Sequence, residues 1–479
     1  MSFTLRLFWE AAGGNVPEHW EFKTIDELLE HPKAISVGVM YPGSDTDGGV
    51  PLIKVSDVKN GAIASRPSFC ISNKVDEEYK RTRLNGSELL LTLVGNPGDC
   101  VIVTDEMCGW NVARALAVIR LKDTQLRSWI RYVLASKPAQ HLIEARLNTT
   151  VQKTLNLKDV REIGIPIPPR EERDSITKII DSIEKKTLLN TQINQTLESI
   201  AQAIFKSWFI DFDPVRAKTT AKREGKDTEL AAMCAISGKS EVELQQMAED
   251  DLAELRATAS LFPDELVESE LGEVPKGWEV STVGEQVQTV GGGTPSTKNV
   301  DFWDDGIHYW TTPKDLSNLT DKILLNTERK ITDAGLKKIS SGLLPKDTVL
   351  MSSRAPVGYL ALSKIEVAIN QGYIAILPNM KYSAEYLIQW CEANMAEIKG
   401  RASGTTFQEI SKKNFREISF VCPDDKVVVS YTKTVKTLYD EITSKAKENQ
   451  SLINLRDTLL PKLMSGEISL NKNMGSIDD

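Results

Sequence analysis

Histidine is scarce in this 479-residue chain and cysteine is scattered. There are four histidines (His19, His31, His141, His308) and six cysteines (Cys70, Cys100, Cys108, Cys234, Cys391, Cys422), with no C-x-x-C pair. A zinc site needs thiolate or imidazole ligands gathered at short spacing, so no metal is expected and the thiols suit a reducing cytosol. No stretch approaches the 18 or more apolar residues of a membrane span, and Leu5 to Trp9 is too short for a signal-peptide core. A cytoplasmic chain with no membrane contact is expected. Catalytic motifs are missing as well. Gly238-Lys239-Ser240 has Met233 where a phosphate-binding loop needs glycine, Gly291-Gly292-Gly293 lacks the dinucleotide spacing, and neither G-x-S-x-G nor H-E-x-x-H occurs. No catalytic residue and no cofactor is expected, which favours a binding role.

Basic charge is also in short supply, with a formal net charge of −9. Its distribution matters more than its sum. Residues 16–165 carry 19 basic and 19 acidic side chains, residues 274–421 carry 17 and 16, and residues 216–273 carry 7 and 14. The acidity therefore sits in one linker-like stretch between two neutral segments. Neutral domains can bind nucleic acid through one basic face, but composition alone does not argue for it.

What the chain has in abundance is itself. Val16-Pro17-Glu18-His19-Trp20-Glu21 matches Val274-Pro275-Lys276-Gly277-Trp278-Glu279, and Asp57 and Asn60 match Asp315 and Asn318. Pro97 and Asn111 match Pro356 and Asn370, and Thr149-Thr150-Val151-Gln152 matches Thr405-Thr406-Phe407-Gln408. Asn194-Gln195-Thr196-Leu197 matches Asn449-Gln450-Ser451-Leu452. The offset drifts only from 259 to 255, which marks a duplication.

Each copy opens with short β-like runs (Leu89 to Val94, Cys100 to Val103, Val349 to Ser352, Ile374 to Leu377) mixed with helical patterns at Trp129 to Ile143 and Ala384 to Ile398. Each then closes with a heptad helix. In the first, Ile176, Ile179, Ile183, Ile193, Leu197, Ile200 and Ile204 form the seam, with Lys186 and Asn190 at its polar positions. In the second the seam is Val428, Tyr431, Val435, Leu438, Ile442, Leu452 and Leu459, with Asn449. The expected fold is α+β: two pseudo-symmetric domains, 1–165 and 274–421, separated by two long helices, 166–215 and 422–470, that form an antiparallel coiled coil. Residues 216–273 read as an acidic, solvated linker with a short helix or two, and 471–479 as a tail.

Certain stretches resemble the DNA specificity subunit of type I restriction-modification systems. They are Ile204-Phe205-Lys206-Ser207-Trp208-Phe209-Ile210-Asp211-Phe212-Asp213-Pro214-Val215, Leu459-Leu460-Pro461-Lys462-Leu463-Met464-Ser465-Gly466-Glu467-Ile468, and Val274 to Val280 followed by Gly292-Gly293-Thr294-Pro295-Ser296. The resemblance implies a non-catalytic subunit whose two target-recognition domains each read half of a bipartite, asymmetric site in double-stranded DNA. It also implies that the paired helices space the domains and dock two methyltransferase subunits, joined by restriction and translocase subunits. The first copy reads Tyr41-Pro42-Gly43-Ser44 where the second has its Gly-Gly-Thr-Pro stretch. A two-domain scaffold for protein or carbohydrate is the alternative, separable by salt-dependent DNA binding.

Polar and basic residues recurring in loops of both copies are the candidate DNA contacts. In the first copy they are Lys54, Ser56, Lys59, Asn60, Asn96, Thr149, Thr150 and Gln152. In the second they are Thr312, Lys314, Ser352, Ser353, Arg354, Thr405, Thr406 and Gln408. Hydroxyls and lysines suit phosphates, whereas arginine suits guanine and the carboxamides suit adenine. The recurrent Thr-Thr-x-Gln reads equally as a shared cap and turn. Trp208, Phe209 and Phe212 are more aromatic surface than a heptad seam needs, as local core or as an apolar patch for a partner subunit.

Overall fold

The computed structural model describes residues 2–59, 61–63, 65–147, 153–317, 319–354, 356–404 and 408–468; the side chains of Ser2 and Lys59 lie outside the described set. Thr149, Thr150, Gln152, Asn60, Thr405 and Thr406 therefore fall outside it. The chain divides into two units, Met1–Lys186 with Leu452–Asp479, and Thr187–Ser451.

The duplication is visible in the topology of each unit. The first holds a four-stranded antiparallel sheet in the order Ile35–Val37, Leu116–Ile119, Leu89–Thr92, Cys100–Ile102. The second repeats that order with Gln288–Gly291, Tyr373–Leu377, Thr348–Ser352 and Leu360–Ser363, and adds Ile323–Leu324 at the edge. The central strands are continuous apolar runs because both faces are covered: Leu89, Leu90 and Leu91 are fully buried, as are Val349, Leu350 and Met351. Each unit also has a three-stranded sheet, Cys70–Ile71, Val50–Ile53, Asn111–Val112 in one and Arg329–Ile331, His308–Thr311, Val367–Ile369 in the other. Its middle strand pairs antiparallel to the first and parallel to the last.

One glycine in each copy is imposed by this packing. A β-carbon on Gly292 would fall inside the contact radius of the Ile369 carbonyl oxygen, and one on Gly38 would collide with that of Val112. The first-copy counterpart of the Gly-Gly stretch is thus Gly38-Val39, whose Val39 amide donates to Val112 as Gly293 does to Ile369. It is not Tyr41 to Ser44, the match expected from sequence.

The long helices run Arg170–Phe209 and Asp425–Met464 and pack antiparallel. Within the second unit Asn190 meets Asn449 and Phe205 meets Tyr431; within the first, Glu184 meets Arg456. The expected seam is shifted by one residue at alternate positions. The buried line in the first helix runs Ile176, Ile180, Ile183, Asn190, Asn194, Ala201, Phe205 and Trp208, while Ile200 is 43% exposed. In the second it runs Val435, Tyr439, Ile442, Ala446 and Asn449. Adjacent apolar pairs such as Ile179-Ile180 and Ile200-Ala201 leave the phase open to the sequence. Packing makes the choice: Ile180 and Ala201 are fully buried, Ala201 in the same core as Tyr431 and Tyr439.

Residues 216–273 hold more than the short helix or two expected and enclose a small core, while most of their side chains stay exposed. Helices Asp213–Glu224, Thr228–Ser237, Glu241–Leu244 and Glu249–Ser260 enclose a small core of Ala232, Met233, Leu244 and Ala259. The buried Lys218 ammonium is held by Glu229 at 2.8 Å and by the Phe262 carbonyl at 2.9 Å, as a buried charge must be.

Candidate nucleic-acid interface

The clearest structural repeat outside the sheets is a clamped loop. In the first unit the Thr92 hydroxyl donates to the Asn96 carbonyl and accepts from the Asp99 amide, while the Thr92 carbonyl accepts from Gly98. In the second, the Ser352 hydroxyl donates to the Pro356 carbonyl at 2.7 Å and accepts from the Tyr359 amide at 2.8 Å, with the Gly358 amide on its carbonyl. The next residue is gripped from the far side. Leu93 donates to Ala115 and accepts from Leu155; Ser353 donates to Gly372 and accepts from Ile410. Two short loops are thereby fixed at their bases, beside Leu155 and Ile410.

This geometry corrects two candidates. Ser352 and Ser353 are 0% and 3% exposed, and the Ser352 hydroxyl has both its hydrogen bonds inside the loop. They shape the loop and do not face DNA. On the same rim, Asn96 is exposed and donates to Asp99 at 2.7 Å, and Arg354 is half-exposed with Glu409 at 3.9 Å. Gln408 is exposed next to Glu409, whose backbone exchanges two 2.9 Å hydrogen bonds with Ser403.

A second repeated device follows the middle strand of each three-stranded sheet. Asp57 accepts from the Lys54 amide and Asp315 from the Thr312 amide, both at 2.7 Å, so the recurrent aspartates cap the turns Val55–Asp57 and Pro313–Ser317. The Thr312 hydroxyl joins Asp315 at 3.0 Å, and Lys314 is paired with Glu328 at 2.8 Å. Ser56 is exposed on its turn, and Lys59 ends the short strand Val58–Lys59. Lys54 lies over the Phe69 ring, its ammonium 3.4 Å from the centroid. Arg329, whose counterpart in the first copy is not basic, is not among the recurrent polar residues. It is exposed, with its guanidinium 3.6 Å above the Trp303 ring.

A cleft of about 520 Å³ in the second unit is chemically different. Asn194, Glu198, Asp321, Lys322 and Glu392 line it. Burial would lower the Lys322 pKa, but Glu198 and Glu392, each at 2.9 Å, outweigh it and raise the value. Burial raises that of Asp321. Three carboxyls against one committed ammonium repel phosphate, so this cleft is not a nucleic-acid surface.

The aromatic cluster is also corrected. Trp208, Phe209 and Phe212 are 3%, 5% and 7% exposed. Trp208 meets Phe262 edge-on at 5.1 Å, Phe209 packs on Tyr386 and Tyr431 at 5.1 Å, and Phe212 on Trp278 at 5.7 Å. They are core of the second unit and present no patch to a partner.

Among the described residues no group of three or more His, Cys, Asp or Glu is placed to hold a metal ion, and no helix is long and apolar enough to cross a membrane.

A family model described as the type I restriction modification DNA specificity domain matches the chain twice, at residues 17–199 and 275–453, one match per copy. The HindI type I restriction enzyme specificity subunit of Haemophilus influenzae is 36% identical over 341 residues, covering 68% of this chain and 73% of that one. The MjaIX specificity subunit of Methanocaldococcus jannaschii is 34% identical over 190 residues, 39% of this chain and 44% of its own. Among solved structures, the S subunit of a type I system from M. genitalium aligns with 94% of this chain and 96% of its own, at 16% identity and a TM-score of 0.46. Matched by the domain model in both copies and by a relative over two thirds of its length, the chain belongs to the DNA specificity subunits of type I restriction-modification systems.

Proposed function

We propose that this specificity subunit is the non-catalytic reader of its complex, each unit recognising one half of a bipartite, asymmetric sequence in double-stranded DNA. Two methyltransferase subunits docked on it supply the methylation chemistry, restriction and translocase subunits join them, and the assembly works in the cytoplasm. One observation supports this reading most: the same clamped loop is built twice with different rim residues. Val94 and Asn96 of one loop stand where the other has Arg354 and Pro356, so the clamp pairs Pro356 with Asn96 and not with Pro97, its match in the sequence. A shared scaffold carrying divergent exposed chemistry is what two readers of different half-sites require, because phosphate contacts position a domain while base-edge contacts specify sequence.

The test is an exchange of residues 16–165 for the equivalent domain of a related subunit, followed by mapping of methylated bases in host DNA. One half-site is expected to change and the other to persist. A change in both halves, or in neither, defeats the one-domain-per-half-site reading. A scaffold for protein or carbohydrate would show no salt-dependent DNA affinity in the presence of the partner subunits.

A further inference from the structure

The outer strands of the two three-stranded sheets differ in a way the scaffold does not require. In the second unit Trp310 stands across from Arg329 and His308 across from Ile331. In the first, Val50 stands across from Ile71, and the Leu52 amide donates to the Phe69 carbonyl at 2.9 Å. With His308 and Val50 superposed by register, Arg329 occupies the position of Phe69. Both copies therefore hold a cation against an aromatic ring at one place on the sheet, with the roles exchanged. In the first copy Phe69, just ahead of the outer strand, supplies the ring and Lys54 the cation, at 3.4 Å; in the second the outer strand supplies Arg329, over Trp303 at 3.6 Å and 5.9 Å from Trp310.

The two Arg329 platforms are well supported. Trp303 and Trp310 are 9% and 4% exposed and pack edge to face at 4.9 Å. Their indole N–H groups are tied to the carbonyls of Ser296 and Gly293, so the surface under the guanidinium is rigid. The adjacent carboxylate, Glu328, is taken by Lys314. Among the described residues the Arg329 guanidinium has no ion pair and no hydrogen-bond acceptor, although the side chain is exposed. Stacking holds the planar fork in place and leaves its N–H edge free, which lowers the rotamer entropy lost when it bonds a bidentate acceptor. Guanine O6 and N7 in the major groove form such an acceptor. In the first copy the cation beside this position is Lys54, which aligns with Thr312, and its ammonium is a point charge with no bidentate geometry.

We propose that Arg329 is a specificity-determining residue of the second unit, reading a guanine in its half-site from the Trp303–Trp310 platform. The proposal rests on the DNA-reading function above. It is tested in the complete complex with its methyltransferase subunits, using R329K and R329Q. Duplexes carrying the wild-type methylated sequence are substituted one base pair at a time, and binding is measured alongside methylation mapping. Both variants are expected to lose discrimination at one G·C pair of the second half-site, on the order of ten- to a hundredfold, with the first half-site unchanged. R329K keeps the charge and not the fork, so its failure to restore discrimination marks base reading. Uniform weakening on all duplexes in R329Q, restored by R329K, would make Arg329 a phosphate contact and overturn the proposal. Unchanged discrimination in both variants overturns it too. If the wild-type complex itself distinguishes no bipartite sequence, the DNA-reading function falls and this proposal with it, a result separable from the others because it appears before any substitution. A melting temperature within a degree of wild type shows that the exposed substitution leaves the fold intact.

Discussion

Trp208→Ala separates a core role from a docking role. The indole is 3% exposed and makes ring contacts with Phe262 at 5.1 Å, Tyr431 at 5.9 Å and Phe209 at 6.2 Å. A buried aromatic of this size removes roughly 150–250 Å² from water, worth about 4–6 kcal/mol at 25 cal/mol per Å². Tryptophan-to-alanine changes in cores cost about 3–5 kcal/mol, since the site collapses only in part. A loss near 4 kcal/mol is therefore expected. With a urea dependence of about 3 kcal/mol per molar, that lowers the unfolding midpoint of the affected unit by more than about 1 M. The assay is urea titration of the full chain followed by near-ultraviolet circular dichroism, fitted with one transition per unit because two units need not unfold together. Ile200→Ala is the control: at 43% exposure it should cost about 1 kcal/mol or less. Capture of a methyltransferase subunit should fail only in step with loss of fold. An unchanged midpoint with abolished capture would refute the burial argument and return Trp208 to the surface.

In the seam, Asn190 donates to Asn449 at 3.0 Å and to Glu448 at 2.9 Å. Asn190→Leu alone strands a buried carboxamide at a cost of about 1–3 kcal/mol, while Asn190→Leu with Asn449→Leu should be neutral or stabilising and permit misassembly; chemical denaturation with sizing of the complex reads both. Gly292→Ala should destabilise at the upper end of roughly 1–3 kcal/mol because its new methyl meets backbone, whereas Gly293→Ala should cost far less, its nearest neighbour lying 4.0 Å away. Asp321 has a raised folded pKa, so the folded state retains a proton the unfolded chain releases; the stability this gives is complete at low pH and is lost as pH climbs through the folded pKa. Asp321→Asn should accordingly melt higher than wild type at neutral pH, with the gap closing towards pH 4; a gap that widens on acidification contradicts the burial argument.

Recurrence between the copies marks residues that build the fold. Asp57 and Asp315, and the loop positions Thr92 and Ser352, recur because each domain must build the same turn and the same clamp. Their polar atoms are consumed internally. Residues that distinguish two sequences should differ between the copies, and Arg329 in the place of Phe69 is invisible to a search for matched polar pairs. The heptad phase was illegible for a similar reason: Ile179 and Ile180 are equally apolar, and only the core each meets selects between them, Ile180 being fully buried in the cluster that holds Leu463 and Met464. Trp208, Phe209 and Phe212 crowd the end of a helix, and sequence cannot tell an aromatic face that meets a partner from one that meets Tyr386 and Tyr431 more than 170 positions away.

The sequence by itself determined the duplication, the α+β character of each copy, the two long helices and the family, because these are written in collinear offsets, periodicity and contiguous motifs that need no knowledge of neighbours. Tertiary structure alone decided burial: the seam line through Asn194 and Ala201, the folded core of the acidic stretch, the buried Ser352 and the exposed Arg329 on its indole platform. Burial depends on contacts between residues far apart in the chain, and a side chain of given polarity is reader, cap or core according to what the fold brings against it.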